Sequence, residues 1–417
     1  MSVLHKSAFM LLLWGVSLTA ALADTTAQRW QNKVLVAKSG DHCVDDSNCF
    51  NRYHPAIKAV ASADPGDLIV FQTRDALDSD LKLDSVNDDV TAIDLNLIHP
   101  MTGPVHIKGA KRGDVLAVEL VDIEPDEYGY TVIVPGFGFL RDLFPDPYVV
   151  NWRLDRLAAT SPQMPGVRVP MAAFMGSVGV LPGEPEVAAW LARESALGEA
   201  GGVVLLPQPI GALPAKVCGP DGSHKDKCLR TIPPRENGGN MDVQQMQIGT
   251  TLLLPCFVDG CKLFVGDVHY AQGDGEVSGT AIETGAKVTV RTTIRAGKGS
   301  EITSPHFEGG AQLKTIAPKN FYATVGFPLK ASGEIPPFIS YLDGEKIGNL
   351  ENLSEDLTLA ARNALIDMID YLVREHGLAR EQAYILCSVA VDLVVGQVVD
   401  VPNYTVSAVL DLSVFEE

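Results

Sequence analysis

The sequence is poor in basic residues and, beyond its N-terminus, in long apolar runs. Its 33 lysines and arginines stand against 52 aspartates and glutamates, so the formal net charge is −19 over 417 residues. An acidic surface disfavours nucleic acid and anionic membranes as partners and suits a small neutral or cationic ligand. Hydrophobic residues make up 46% of the chain, which is enough to build one large domain or two ordinary ones.

Cysteine is also scarce, and the CxxC spacing typical of zinc clusters does not occur. The seventh cysteine, Cys387, lies in an apolar segment and is expected to be a buried free thiol. The other six form close pairs, which favour three disulfides in an oxidising compartment. These pairs are Cys43 with Cys49, Cys218 with Cys228, and Cys256 with Cys261.

The first 23 residues have the pattern of a secretory signal peptide. A weakly basic start precedes the apolar run Ala8–Ala20, and the small-x-small site Ala21-Leu22-Ala23 precedes Asp24. The run is too short for an ordinary membrane span, although an uncleaved anchor is the alternative. We therefore expect cleavage after Ala23 and a soluble mature protein, residues 24–417, that is secreted or periplasmic and not attached to a membrane.

Short alternating segments predict a mainly β body over about residues 30–350. Asp114–Asp122 and Ala286–Ile294 alternate apolar and polar residues, as half-buried strands do. Glycine and proline recur between these segments, and no solenoid repeat is visible. One short helix is expected at Val187–Arg193.

Helical periodicity appears late and predicts a C-terminal α/β portion over about residues 351–417. Ser354 can cap a helix that continues through about Glu375 and ends at Gly377. A second helix is expected near Arg380, and residues 398–414 return to strand character. The predicted order is therefore helix, helix, strand.

The segment 266–276, GDVHYAQGDGE, concentrates ionisable groups among glycines. Asp267 and His269 are two residues apart, and on a strand that spacing puts both on one face, where they could bind one cation. The Gly273-Asp274-Gly275 turn would then fold Glu276 back toward the same place. We expect Asp274 to shape the turn, not to react.

Two further segments carry polar groups beside turns. In NLIHPMTGPVHIKGA (96–110), Pro100 keeps His99 extended, and His99 is a candidate third ligand or a structural histidine. In PPRENGGNMD (233–242), two glycines let the backbone approach a ligand closely. A purely structural interpretation of this loop pairs Arg235 with Glu236 or Asp242. A nucleophile elbow is not predicted at Gly176-Ser177-Val178-Gly179, because its spacing is not GxSxG.

HPMTGP, PRENGGNMD and GDVHYAQGDGE, in this order, resemble the acetamidase/formamidase family of amide hydrolases. GTAIE (279–283), the strand Lys111–Asp122 and VVDVPN (398–403) continue the resemblance, which covers roughly residues 30–415. It implies a distinctive fold of β-sandwich and β-barrel-like sheets with a small α/β portion, assembled as homo-oligomers. It also implies hydrolysis of short aliphatic amides to carboxylate and ammonia, and in some relatives a divalent zinc or calcium ion.

A hypothesis for the site follows from these segments together. Asp267, His269 and His99 are the candidate ligands of a cation, with mixed oxygen and nitrogen donors that suit zinc and leave room for water. Glu276 is the candidate general base, with Glu236 in reserve. Asn240 and the backbone amides of Gly238 and Gly239 are the candidate oxyanion donors.

Several alternatives remain open at this point. Calcium could bind Asp267, Asp274 and Glu276 as a structural ion, or no ion could be present, in which case a glutamate must activate water directly. Within the same scaffold, the substrate could be a γ-lactam. A periplasmic amide-binding protein without catalysis is the alternative outside the enzymes. Departures from relatives, namely the signal peptide, the cysteine pairs and Val268, leave the amide itself undetermined.

Overall fold

A computed structural model describes residues 32–137, 145–163, 168–200, 203–272, 276, 278–309, 320–335, 344–378 and 391–412. Asn32–Glu417 forms one compact unit. No described helix is long and apolar enough to cross a membrane. The expected signal peptide, Asp274, Cys387 and the helix expected near Arg380 lie outside the described residues.

Short strands dominate the described residues, and four α-helices accompany them. The helices are α1 (Glu184–Glu199), α2 (Ala215–Cys218), α3 (Gly344–Ile347) and α4 (Leu357–His376). The strands are β1 (Lys33–Val36), β2 (Cys49–Phe50), β3 (Arg52–Tyr53), β4 (Ala61–Ala63), β5 (Leu68–Thr73), β6 (Met101–Ile107), β7 (Val115–Pro125), β8 (Tyr128–Ile133), β9 (Tyr148–Leu154), β10 (Ala158–Thr160), β11 (Arg168–Pro170), β12 (Phe174–Val180), β13 (Leu229–Arg230), β14 (Gly238–Asn240), β15 (Thr250–Pro255), β16 (Leu263–His269), β17 (Glu283–Thr284), β18 (Ala286–Arg295), β19 (His306–Gly309), β20 (Phe321–Gly326), β21 (Val391–Gln397) and β22 (Thr405–Asp411).

Two large sheets pack face to face. The first has nine strands in the order β1-β5-β18-β7-β15-β19-β20-β22-β21, and the second has eleven, with β16 flanked by β12 on one side and by β6 and then β17 on the other. Apolar residues of both sheets share one core, for example Val288 and Leu252 from the first and Met175 and Val265 from the second. Alternate residues of β18 are buried, as its sequence predicts.

This architecture confirms the mainly β prediction and corrects one part of it. The facing sheets form a sandwich, but neither sheet closes into a barrel within the described ranges. The physical reason is that each sheet keeps two edge strands, β1 and β21 in the first and β11 and β14 in the second. The C-terminal α/β portion is present, with α4 packed on the outer face of the nine-stranded sheet.

The ends of two helices differ from the sequence-based expectation. Asp356, not Ser354, caps α4, because its Oδ1 accepts a hydrogen bond from the Leu359 amide at 2.8 Å. The predicted end at Gly377 is confirmed, since this residue is left-handed with φ 64°. Helix α1 is longer than the predicted Val187–Arg193 and continues to Glu199.

The structure contains the three expected disulfides. Cys43 is joined to Cys49, Cys218 to Cys228, and Cys256 to Cys261. The third closes the connection between β15 and β16, the strand that carries Asp267 and His269. It therefore constrains the loop from which that strand starts.

Two Arg-Glu dipeptides, one in α1 and one before β14, form two salt bridges in which the arginine of each dipeptide pairs with the glutamate of the other. Arg235 holds Glu194 through two hydrogen bonds of 2.6 and 2.9 Å, and both side chains are fully buried. Arg193 holds Glu236 in the same way, at 2.6 and 2.7 Å. Arg235 therefore pairs with neither Glu236 nor Asp242. Its partner is Glu194 of α1, which lies one residue beyond the end of the predicted helix Val187–Arg193.

We expect Arg235→Met to destabilise the protein by about 3–5 kcal/mol, because Glu194 would keep a buried charge without a partner. The matched control is Arg295→Met, which removes the half-exposed pair with Glu308 and should cost about 0–1 kcal/mol. Urea unfolding of both variants measures the difference. Equal losses in the free energy of unfolding for the two variants would contradict a larger contribution from the buried pair.

Candidate active site

Strand β16 places Asp267 and His269 at the centre of the second sheet. Asp267 Oδ1 lies 3.2 Å from His269 Nε2, so the two side chains meet as their spacing predicts. The strand is not regular there, because Asp267 adopts a left-handed conformation with φ 54°. On the neighbouring strand β12, a side chain at Gly176 would collide with the carboxylates of Asp267 and Asp242. Glycine at position 176 therefore makes room for both acids.

Four carboxyl groups surround the same imidazole nitrogen. Besides Asp267, His269 Nε2 lies 3.4 Å from Glu283 Oε2, 3.8 Å from Asp242 Oδ1 and 3.8 Å from Glu276 Oε1. All five side chains are buried. Strand β17 supplies Glu283, which stands directly opposite His269 in the ladder. A cluster of this composition can hold a proton or a cation.

Gln272 fixes the orientation of the His269 ring. The Gln272 amide nitrogen donates to the backbone oxygens of Asp242 and Gly396, at 3.1 and 3.3 Å. Its Oε1 is therefore the acceptor for His269 Nδ1–H at 2.8 Å. This leaves His269 Nε2 facing the carboxylates, which is the arrangement of a metal-ligating histidine whose other ring nitrogen donates to an oxygen.

A second acid pair, Asp242 and Asp400, extends the cluster. Asn240 Nδ2 donates to Asp400 Oδ2 at 2.6 Å, and Asn240 Oδ1 accepts from Ser177 Oγ at 3.0 Å. Asp242 follows β14, whereas Asp400 belongs to the loop between β21 and β22. Both oxygens of Asp242 lack a hydrogen-bond donor among the described residues. As carboxylates the two acids repel each other, so they require a shared proton or a cation.

The pKa values of the cluster show its excess of negative charge. Burial is the largest cause that raises the pKa of Glu283, to about 8, and that of Asp400, to about 7. Burial and neighbouring carboxylates raise the pKa values of Asp242 and Glu276 well above their usual range. Most of these carboxyls therefore bind protons near neutral pH when no cation is present.

Asp267 and His269 behave differently. Burial favours the neutral form of Asp267, but the charge of His269 outweighs it and holds the pKa of Asp267 below its usual range. Burial opposes charge on His269 as well, yet Glu283 and Asp267 raise its pKa well above the usual range. These two groups thus form a buried ion pair at the centre of the cluster.

The donor set fits a divalent cation. Asp242, His269 and Glu276 offer ligand atoms within 4.8 Å of one another, and so do Asp267, His269 and Glu283. The unpartnered oxygens of Asp242 are what a cation would satisfy. Mixed carboxylate and imidazole donors are typical of zinc, whereas calcium takes oxygen donors in larger number.

His99 lies at the same cavity as Asp267, Asn240 and Glu276. Its backbone amide donates to Thr231 Oγ1 at 2.6 Å, and its buried Nδ1 has no hydrogen-bond partner among the described groups. Burial lowers the pKa of His99, so its imidazole is neutral and has a free lone pair. The structure therefore places His99, Asp267, Glu276 and Asn240 on one cavity, with His269 beside Asp267. The groups of described residues close enough to share one ion do not include His99.

Three predicted residues lie elsewhere. Glu236 is paired with Arg193 and faces a different surface depression, so it is not positioned as a reserve base. Gly238 donates its amide to the Arg235 carbonyl at 2.9 Å, and Gly239 pairs with Val178 in the β12–β14 ladder. The described lining of the cavity does not include either glycine. The reason is that Gly238 and Gly239 form a strand that carries Asn240 and leads to Asp242, and not a ligand-binding loop.

Sequence reasoning overlooked Glu283, Asp400, Asp242 and Ser177 as site residues. Glu283 and Asp400 stand within GTAIE and VVDVPN, segments that carry the family resemblance but contain no metal-binding spacing. Asp242 was interpreted as an ion-pair partner of Arg235. Ser177 Oγ lies 3.3 Å from Asp267 Oδ2, although its sequence context indicates neither a nucleophile nor a binding role. The signal that could have identified Glu283 and Asp400 is that each is the acidic residue of a segment that carries the family resemblance.

The cluster forms one end of a cavity of about 400 Å³. The polar end is lined by His99, Asn240, Asp267, Glu276, Glu283 and Asp400. The remaining wall is mainly apolar. A cavity of this volume, with convergent polar groups at one end, has the form of a small-molecule binding site.

A sequence model described as the Acetamidase/Formamidase family matches residues 37–417. The chain belongs to the acetamidase/formamidase family. It is 32% identical to an acetamidase of Mycolicibacterium smegmatis, over 81% of this chain and 84% of that protein. It is 31% identical to a putative formamidase of Schizosaccharomyces pombe, over 89% and 91%. The family assignment made from the motifs is therefore confirmed, and the protein is a hydrolase that acts on carbon–nitrogen bonds of linear amides.

Solved structures support the same fold. An acetamidase of Bacillus halodurans superposes with a TM-score of 0.66 at 23% identity and covers 92% of this chain and 98% of that one. A gamma lactamase of Delftia acidovorans superposes with a TM-score of 0.65 at 29% identity and covers 92% and 94%. The sandwich is thus the fold of this acetamidase/formamidase chain and of both solved proteins.

Gln272→Leu should weaken any binding of a divalent cation at the cluster roughly 10- to 100-fold, because His269 would lose the acceptor that orients its ring. The matched control is Gln163→Leu, which removes similar hydrogen bonds to backbone groups of β9, Asn151 N and Val149 O, away from the cavity. Zinc titration by calorimetry measures both affinities. Unchanged affinity in Gln272→Leu would remove His269 from the ligand set.

The cation-free enzyme should lose stability as pH rises from about 4 to about 8. Glu283 and Asp400 have raised pKa values of about 8 and about 7, so their protonation stabilises the folded state at low pH and is lost as pH rises through those values. Urea unfolding of chelator-treated protein tests this. Glu283→Gln and Asp400→Asn should each flatten the profile. A profile that rises over this range would contradict the assignment.

Proposed function

We propose that this acetamidase/formamidase is an exported enzyme that hydrolyses the C–N bond of aliphatic amides to carboxylate and ammonia. The observation that carries the proposal is the convergence of buried carboxyl groups on His269 at one end of an apolar cavity. Formamide and acetamide are the simplest candidate substrates, since acetamidases and formamidases are the relatives of this chain.

We propose zinc as the cofactor, with calcium as the alternative ion. Asp267, His269 and His99 remain the proposed ligands, and the positions of Asp242 and Glu283 make them further candidates. A bound divalent cation would lower the pKa of water and polarise the amide oxygen. His269 Nε2, which faces the acids, is available to such an ion, because His269 Nδ1 is bonded to Gln272.

Glu276 is the proposed proton carrier of the reaction. Its carboxyl group is buried at the cavity, and its raised pKa keeps it protonated while the site is without a cation. A bound cation would favour the carboxylate form, which can take a proton from water and return it. As water oxygen bonds to the amide carbon, Glu276 accepts the released proton. It then donates to the nitrogen, so that the C–N bond breaks and ammonia leaves.

Asn240 is the proposed donor to the amide oxygen. An amide nitrogen carries two hydrogens, and one of them is committed to Asp400 Oδ2 at 2.6 Å. The other is available to a substrate oxygen at the cavity. Asp400 and Ser177 hold the Asn240 side chain from both ends, so the donor is fixed before substrate arrives.

A second candidate function is hydrolysis of a γ-lactam at the same site. The likeness to a gamma lactamase of Delftia acidovorans, at 29% identity over most of the chain, favours testing it. Linear amides are the first choice because the acetamidase and formamidase relatives reach 32% identity. A non-catalytic amide-binding protein is not favoured, because the acids and histidines at the cavity include the groups that hydrolysis needs.

We also propose export and self-association. The signal-peptide pattern of residues 1–23 and the three disulfides support an oxidising compartment. Assembly into homo-oligomers rests on the family resemblance alone. N-terminal sequencing of the mature protein, expected to begin at Asp24, and light scattering of the purified enzyme measure these two properties.

Ammonia release should be detected from linear amides and should fall on chelation. The panel is formamide, acetamide, propionamide and a γ-lactam, each with and without chelator, followed by addition of zinc or calcium. Recovery with zinc alone supports zinc. Full activity in chelated protein that is verified to be free of metal would show that the reaction needs no cation. Activity on the lactam alone would replace the linear-amide proposal.

Glu276→Gln should reduce turnover by at least about 100-fold, because the side chain could no longer exchange a proton. Zinc content should be retained, since Asp267, His269 and the other acids stay in place. Glu199→Gln, at the exposed end of α1, is the matched control and should leave turnover unchanged. Turnover within twofold of the parent in Glu276→Gln would assign the proton transfer to another group.

A further inference from the structure

The wall of the cavity beyond the acid cluster is built mainly from hydrocarbon side chains. Its members include Leu77, Ile98, Val134, Leu205, Ile232 and Val399. Leu77, Ile98 and Ile232 are buried, and they belong to one apolar cluster against which Val134 and Leu205 pack. This part of the wall is therefore continuous with the packed interior, whereas Leu95 and Val203 of the same lining are exposed.

The cavity is larger than the simplest amides need. Acetamide fills about 120 Å³ if each of its non-hydrogen atoms takes the roughly 30 Å³ that a water molecule occupies in the liquid. The cavity measures about 400 Å³. An acetamide held at the acid cluster would leave most of the hydrocarbon wall in contact with water, which is unfavourable.

The wall begins directly beside the reacting groups. Ile98 precedes His99, and Val399 precedes Asp400, so each element that delivers a polar side chain also delivers an apolar one to the same cavity. An amide whose carboxamide lies between Asn240 and Glu276 would extend its acyl group along this wall. The polar end thus binds the carboxamide that reacts, and the apolar wall determines which acyl groups are accepted.

Arg230 is the charged residue that interrupts the wall. Its Nη2 donates to the Leu95 carbonyl oxygen, and its backbone oxygen accepts from Arg235. Burial lowers the pKa of Arg230, and its buried Nε has no hydrogen-bond partner among the described groups. Part of the guanidinium is therefore used within the protein, and an acyl group with an anionic end is the alternative that the experiment must distinguish.

We propose that the preferred substrates are primary amides whose acyl group is a hydrocarbon of about four to eight carbons, rather than formamide or acetamide. This inference rests on the proposed amide hydrolysis and adds the chemical class of the acyl group. Water adds to the carbonyl carbon, the C–N bond breaks, and the products are the hydrocarbon carboxylate and ammonia. Each methylene group buried on the wall should raise kcat/KM about fourfold, equivalent to about 0.8 kcal/mol.

The test is ammonia release by the mature enzyme from acetamide, butyramide, hexanamide, phenylacetamide and succinamate. A rise in kcat/KM from acetamide to hexanamide of at least tenfold, with phenylacetamide also hydrolysed, supports the proposal. A fall along the series overturns it but leaves amide hydrolysis in place. Preference for succinamate over butyramide also overturns it and points to Arg230. No release from any amide overturns the proposed function as well.

Two neighbouring leucines provide a matched pair of variants. Leu205 is on the wall, whereas Leu206 is 38% exposed and absent from the described lining. Leu205→Trp should reduce kcat/KM for hexanamide at least tenfold and change that for acetamide less than twofold, because it fills space along the apolar wall. Leu206→Trp should change neither value. Equal effects of Leu205→Trp on both substrates would show that the wall does not contact the acyl group.

Discussion

The crowding of buried carboxyl groups around His269 is the constraint on which the rest of this structure depends. Asp242, Asp267, Glu276 and Glu283 all lie within 3.8 Å of one imidazole nitrogen, and none is exposed to water. Charges removed from water are costly unless they are paired or neutralised. The protein therefore needs protons or a cation at this place.

The surrounding scaffold holds these acids against their mutual repulsion. Gln397 Oε1 accepts the amides of Val399 and Asp400, each at 2.8 Å, and so fixes the loop that carries Asp400. Asn403 Nδ2 donates to the Pro234 carbonyl at 2.7 Å and ties that loop to the segment before β14. The crossed Arg-Glu pairs then bind the same segment to α1. Most of the conspicuous motif PRENGGNMD thus has a positioning role.

Sequence patterns predicted the parts that are set locally. Alternation identified β18, close cysteine spacing identified the disulfides, and the Gly377 signal identified the end of α4. The pairing of Asp267 with His269 was also predictable, since both belong to one short segment. Glu236 was misjudged because its partner, Arg193, is 43 residues away and no local pattern reveals it. Glu283 and Asp400 reach the cluster through sheet pairing and a long connection, which only the tertiary structure defines.

Three acids of the cluster share a backbone conformation that lowers the stability of the fold. Asp242, Asp267 and Glu276 all adopt positive φ, at 51°, 54° and 45°, in the region that side-chain-bearing residues avoid. Such conformations cost of order 1–3 kcal/mol each. Glycine would adopt them without that penalty, yet it would remove the acid. Laboratory selection for heat resistance alone should therefore favour glycine at these positions and yield proteins that are more stable but inactive.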